Sequence, residues 1–311
     1  MNQRVKFGKT GIDVSPVSFG TWQLSPSYWG KQDEDQIVKA IHRAFELGVN
    51  FFDTAGAYGD GLAESVIGRA IADMPRDQMV ICTKYCWHFH PDGRRYGDIS
   101  GKYAVEYCEQ AMERMGTDYI DILLCHSFEP MSDPAETVEG LENLVQQGKI
   151  RAYGVSNWTV EQMRMGIAAG GNYAVCQPPY SLLNRRIESD VLPFCQANDI
   201  GVMVFSPLHR GLLTGKYKGK EKFDDHRADA ADFQGKRFKK LCKAVRKLKE
   251  FADRYDLTIV QTVLAATLTH PGIHNTIVGV KIPEHIEEAA GAMGKEISRE
   301  DYHKIRRLLS V

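Results

Sequence analysis

Eight apolar runs separated by helix-like patterns constrain the fold of this chain more than any other feature. They fall at 17–24, 49–54, 79–84, 119–125, 150–155, 174–177, 200–205 and 275–280, each too uniformly apolar to leave one face in water. Between them, apolar residues recur at helical spacing over 33–47, 62–72, 101–115, 134–147, 159–169, 187–198 and 258–269. Strands buried on both faces and alternating with helices form a parallel sheet covered by a helical layer. Closing that sheet on itself gives an α/β fold, the (β/α)8 TIM barrel, which takes ~250 residues and accepts insertions. The 311 residues are accordingly expected to form a single barrel domain over 1–311. An open doubly wound sheet is the competing arrangement, but no Gly-x-Gly-x-x-Gly follows any of the runs.

Two flanking patterns lie outside the repeat. Residues 4–14 alternate around Gly8 and Gly11, the mark of an N-terminal β-hairpin placed to plug one end of the barrel. Ser298-Arg299-Glu300-Asp301 reads as a capped start for an extra helix running to Leu309, near the C-terminus. The basic stretch from Lys236 to Lys249 turns Phe238, Leu241, Val245 and Leu248 to one face and leaves its charge to solvent.

Charge narrows the partners. With 39 basic against 40 acidic residues and a net charge of −1, no long-range field favours nucleic acid or an anionic membrane, so a small-molecule partner is expected. Neither a signal-like N-terminus nor a membrane-length apolar run occurs, which points to a cytoplasmic protein. The seven cysteines are odd in number and scattered, a pattern of reduced, buried thiols rather than of a disulfide framework. Cys82 and Cys86 lack a second pair for zinc, and His88 with His90 is better read as part of a loop than as a metal site; no metal is expected.

Chemistry concentrates where three successive runs end. Phe51-Phe52-Asp53-Thr54-Ala55-Gly56-Ala57-Tyr58-Gly59 leads from a buried strand into a loop with one carboxylate and one phenol, the next run ends at Lys84, and the one after at His126. In a barrel the strand C-termini converge on one face, so Asp53, Tyr58, Lys84 and His126 are expected in one pocket. A phenol with its pKa near ~10 is a weak acid at neutral pH. A lysine ammonium ~4 Å away interacts with the phenolate by ~4 kcal/mol at an effective dielectric of ~20, against ~1 kcal/mol in water, so in a cleft it is expected to lower that value. Asp53 would keep Lys84 charged, and His126 would orient a substrate oxygen. Such a site suits protonation of an oxygen during carbonyl reduction by a hydride that the protein itself lacks, so a nicotinamide cofactor is required.

Taken with the segments Tyr119-Ile-Asp-Ile-Leu-Leu-Cys-His126, Gly148-Lys-Ile-Arg-Ala-Tyr-Gly-Val-Ser-Asn157, Gln177-Pro-Pro-Tyr180 and Phe205-Ser-Pro-Leu-His-Arg-Gly-Leu-Leu-Thr-Gly-Lys216, these residues resemble the aldo-keto reductases from Gly20 to Gly291. The resemblance implies Tyr58 as general acid, tuned by Lys84 and Asp53, with His126 as carbonyl orienter. It also implies that Ser156, Asn157 and Gln177 hold the nicotinamide carboxamide while Tyr180 stacks on the ring; on local grounds alone Ser156-Asn157 would equally be a helix cap. Ser206, Pro207, Leu208, Gly211 and Lys216 correspond to the family's pyrophosphate clamp, and Gly279 and Lys281 to the segment meeting the adenosine ribose. Lys281 suits a 2′-phosphate, which favours NADPH, with NADH open. Beyond it, His285 and Ala289 stand where the family often has other residues around the adenine, and Glu288 is kept.

Trp22, Trp87, His88 and Trp158 are expected to line the substrate mouth, with Tyr28, Trp29, Phe89 and Phe128 as further members of the same aromatic wall. The leading reading is an NADPH-dependent reductase of aldehydes or ketones. Its alternatives are an NAD(P)-dependent sugar or polyol dehydrogenase using the site in reverse, and a non-enzymatic nucleotide-sensing subunit such as the channel-associated branch of the family implies.

Overall fold

Eight parallel strands close into a barrel in the computed structural model, which describes residues 3–89, 92 and 94–311. In chain order they are β1 (Val17–Gly20), β2 (Phe51–Asp53), β3 (Val80–Tyr85), β4 (Ile120–Cys125), β5 (Ile150–Ser156), β6 (Val175–Gln177), β7 (Gly201–Phe205) and β8 (Asn275–Gly279). Each pairs with its sequence neighbour, and β8 returns to β1 with Gly279 opposite Gly20. Helices cover the outside: Glu34–Glu46, Leu62–Ile71, Gly101–Met115, Pro134–Gln146, Val160–Ala168 and Val191–Ala197 follow β1 to β6, and Ile259–Leu268 precedes β8. Their starts carry the chemistry that helix N-termini demand, for example Asp33 accepting from Asp35 and Gln36 N–H, and a reciprocal Thr258–Gln261 capping box.

Side-chain alternation divides each strand between two cores. Phe51, Val80, Cys82, Ile122, Leu124, Val175, Met203 and Ile277 fill the barrel interior, whereas Phe19, Phe52, Ile81, Leu123, Val155 and Val204 pack against the helices. The N-terminal hairpin pairs Val5 with Val14, and its Phe7 is buried among the interior residues, edge-on to Phe51 at 5.5 Å. It closes the end at which the strands begin.

Two expectations shift. The first strand ends at Gly20 rather than continuing to residue 24, because β2 ends opposite it at Asp53 and Trp22–Leu24 turns away as a single 3-10 turn. Trp87–Phe89 pairs antiparallel with Arg95–Gly97 as a separate hairpin, where a loop is expected. The basic segment forms the helix Gly235–Lys247 with Phe238, Leu241 and Val245 buried, and Arg299–Leu309 is the extra helix, capped by Ser298. All seven cysteines are unpaired and buried. No described helix is long and apolar enough to cross a membrane.

Candidate active site

The alternation that fills the barrel also sets its upper rim. Above Phe51 the next inward position is Asp53, above Cys82 it is Lys84, and above Leu124 it is His126. By the same rule Ser156, Gln177, Phe205 and Gly279 face inward at the ends of β5 to β8. With Lys84 buried beneath them, these residues line a cavity of about 500 Å3 that also takes in Tyr58. Tyr58 reaches the rim on a tight turn, its N–H on Ala55 O at 3.0 Å and its carbonyl accepting from Ala63 N–H at 3.1 Å. Sequence alone thus predicts four residues that the fold gathers into one place.

Lys84 is the hub. Its ammonium donates to the Asp53 carboxylate at 2.9 Å, to Thr54 O at 2.7 Å and to Tyr58 Oη at 3.2 Å. The residue is only 1% exposed, and burial alone would push the ammonium towards neutrality, but Asp53 first and then Tyr58 outweigh that and hold it above its ordinary value. The phenol departs from expectation: burial raises the Tyr58 pKa, and Lys84, though lowering it, does not win, in part because Asp53 also raises it. Tyr58 therefore stands fully protonated, as a proton donor must, and its tuning by Lys84 limits rather than reverses the effect of burial. His126 sits edge-on to the Tyr58 ring at 5.8 Å; burial, then Lys84 and Arg95, pull its imidazole down to about 3, so it is neutral. Its Nδ1 is buried with no partner among the described residues.

Around this cluster the amides are already ordered. Gln177 Nε2 donates to Asp53 Oδ1 at 2.7 Å, a link that sequence does not foretell, and Ser156 Oγ donates to Gln177 O at 3.0 Å. Asn157, at a left-handed φ of 61°, donates through Nδ2 to His126 O and Ser156 Oγ. The helix that follows is capped by Thr159 with Gln162, so Ser156 and Asn157 are not its cap. Ser206, Pro207, Leu208, Gly211, Lys216, Gly279, Lys281, His285 and Glu288 continue the lining of the cavity from β7 to the helix Pro283–Ala290.

Several expected residues lie elsewhere. Tyr180 does not border the cavity: it follows the end of β6, is 1% exposed, and donates its hydroxyl to Glu188 at 2.8 Å within the outer core. Phe205, inward above Met203, presents the aromatic side chain there instead, and the period-two pattern of β7 could have signalled it. Trp87 and His88 belong to the separate hairpin, where Arg95 covers the Trp87 ring and His88 stacks between Tyr96 and Tyr103. Trp158 turns into the outer core against Phe128 and Tyr173. Of the four expected substrate contacts, only Trp22 borders the cavity. His90 lies outside the described residues, and among those described no three His, Cys, Asp or Glu side chains gather as a metal site would require.

Of the further aromatic-wall residues Trp29 borders the cavity as expected, and so do Gln23, Arg210 and Arg227, which carry no periodic signal. Burial lowers both Lys216 and Lys281, Arg227 lowers each further, and the three cations face one space. A dinucleotide pyrophosphate would relieve that crowding. Gln23 Oε1 and Trp29 Nε1 are buried without partners among the described residues. A Cβ on Gly279 would come within 1.9 Å of the Gln23 side-chain amide, so any larger residue there would first have to displace that amide. A cavity bordered by crowded cations, by the Tyr58 phenol and by orphaned polar atoms fits a nicotinamide dinucleotide.

Comparison with known proteins agrees in kind. The profile of the Aldo/keto reductase family matches residues 16–310. The aldo-keto reductase YhdN of Bacillus subtilis is 34% identical over 96% of this chain and 91% of its own length. An NADH-specific methylglyoxal reductase of Escherichia coli is 32% identical over 98% of each chain. Among solved structures, a glycerol dehydrogenase of Gluconobacter oxydans superposes with a TM-score of 0.92 at 28% identity, over 99% of this chain and 95% of that one.

Proposed function

Because the chain belongs to the Aldo/keto reductase family and is an NAD(P)H-dependent oxidoreductase of small carbonyl compounds, we propose that it reduces an aldehyde or ketone with NADPH, using Tyr58 as the proton donor. The observation that carries this reading is the Asp53–Lys84–Tyr58 cluster at the floor and wall of the cavity. The nicotinamide, when bound, supplies the hydride. As negative charge develops on the carbonyl oxygen, the Tyr58 hydroxyl gives up its proton to it, and the Lys84 ammonium 3.2 Å away stabilises the phenolate that remains. Asp53 keeps that buried ammonium charged. His126, neutral, holds the carbonyl oxygen without competing as an acid.

Asn157 and Gln177 would hold the carboxamide of the cofactor, with Ser156 fixing both, and Phe205 would bear on the ring face. Lys216 and Arg227 suit the pyrophosphate. Lys281, 4.9 Å over the Trp29 ring, suits a 2′-phosphate and is the reason for preferring NADPH to NADH. The likeness to a glycerol dehydrogenase favours a second reading in which the same residues oxidise a polyol, with a Tyr58 phenolate accepting the proton. Quenching of intrinsic fluorescence by NADPH and by NADH, followed by steady-state rates in both directions on small aldehydes, ketones and polyols, separates these readings. Tighter NADPH binding with faster reduction supports the first; preference for NADH, or turnover only on alcohols, overturns it.

A further inference from the structure

Behind the loop that carries Tyr58, on the outer side of the barrel wall, the fully buried Glu64 gathers three donors. Thr83 Oγ1 and Tyr107 Oη donate to its Oε1 at 2.5 and 2.6 Å, and Arg114 Nε donates to Oε2 at 2.6 Å. Each hydroxyl has a single hydrogen, and both are spent on the carboxylate. The 3.2 Å approach of Thr83 to Tyr107 is therefore a consequence of their shared acceptor, and the Tyr107 oxygen keeps its lone pairs for the Gly56 N–H, 2.7 Å away. Burial and then Glu64 hold the Tyr107 phenol well above its ordinary value, so it keeps the proton that it donates.

The network ends on the neighbours of the reacting pair. Thr83 is the outward-facing residue immediately before Lys84, and Gly56 lies on the same turn as Tyr58, its carbonyl accepting from Gly61 N–H at 2.8 Å. A Cβ on Gly56 would stand 2.6 Å from the Tyr107 ring, so glycine is what lets the phenol reach this backbone. Thus a single buried carboxylate ties the strand bearing the ammonium to the turn bearing the phenol, from the side opposite to the cavity.

We propose that Glu64, Tyr107 and Thr83 are positioning residues that set the separation of Tyr58 from Lys84, a role that rests on Tyr58 being the proton donor. Reacting groups displaced by a fraction of an ångström lose rate steeply, while binding surfaces made by other residues are unaffected. Tyr107→Phe keeps the ring and removes only the acceptor for Gly56 and one donor to Glu64. It is expected to lower kcat by about tenfold or more, with the substrate KM and the NADPH Kd from fluorescence quenching within about twofold of wild type. Thr83→Val should act alike, and Thr83→Ser, which restores the hydroxyl, should recover most of the rate.

Unchanged kcat in Tyr107→Phe, whatever its melting temperature, overturns the proposal, as does a parallel loss of cofactor affinity, which would mark general loosening. Tyr58→Phe measured alongside separates the two claims: if it stays active, the proton-donor reading fails. If it is inactive while Tyr107→Phe is fully active, only the positioning role fails.

Discussion

Replacing Asp53 by Asn tests whether the buried ion pair is what keeps Lys84 charged. The substitution preserves shape, and an Asn oxygen can still accept from Gln177, whose Nε2 now donates to Asp53 at 2.7 Å. What it removes is a Coulomb attraction across 2.9 Å, about 6 kcal/mol gross at an effective dielectric of ~20. Breaking a buried pair from one side costs about 3–5 kcal/mol net. A ceiling follows from letting Lys84 shed its proton: from an unfolded pKa of ~10.4, that costs about 4.6 kcal/mol at pH 7 and about 2 kcal/mol at pH 9. In the wild type the folded pKa of Lys84 is raised, so its contribution is complete below the unfolded value and is lost only as pH rises through the folded one. In Asp53→Asn the folded pKa falls below the unfolded one, the unfolded chain binds more protons, and stability rises with pH. Urea unfolding of both proteins at pH 7 and pH 9 should show a gap of about 3–4.5 kcal/mol that narrows to about 2 kcal/mol or less. A gap below about 1 kcal/mol at pH 7, or one independent of pH, would refute the reasoning.

Other outcomes follow from the same structure. Since burial, Lys84 and Arg95 hold His126 down at about 3, no ionisation of this residue should enter kcat/KM between pH 5 and 8. A wild-type inflection there that disappears in His126→Gln would contradict this. Asp121, fully buried at the start of β4, accepts from Ile81 N–H, Arg76 and Arg151, and Asp121→Asn should lose about 3–5 kcal/mol in urea with kcat per folded molecule unchanged. Lys281→Ala should weaken NADPH by about tenfold while moving NADH less than about twofold, measured by fluorescence quenching, as loss of one phosphate contact implies.

The barrel was legible because hydrophobic periodicity is set by burial on both strand faces, which eight runs display without interruption. Three of the four expected site residues are legible for a related reason: Asp53, Lys84 and His126 each stand two places beyond an inward apolar residue, so alternation alone directs them to the interior rim. Tyr180 misled because it follows Pro178-Pro179, past the point at which β6 still dictates which way a side chain faces; Phe205, still within β7, was the residue in register. Trp87 and His88 are drawn off by pairing with Arg95–Gly97, a contact that composition does not encode. Arg227 reaches the cavity from a long segment without periodicity and so left no signal. The Tyr58 pKa moves up rather than down because burial outweighs the Coulomb attraction to Lys84, which is the only one of the two that the sequence pattern displays.

Tyr58→Phe, assayed for NADPH-dependent carbonyl reduction and, separately, for NADPH binding, tests the central claim most directly. Of the three groups hydrogen-bonded to the Lys84 ammonium, only the Tyr58 phenol carries a proton to give, so reduction should fall by about a thousandfold or more while the NADPH Kd stays within about twofold. A variant that still reduces carbonyls at the wild-type rate would show that the proton comes from elsewhere.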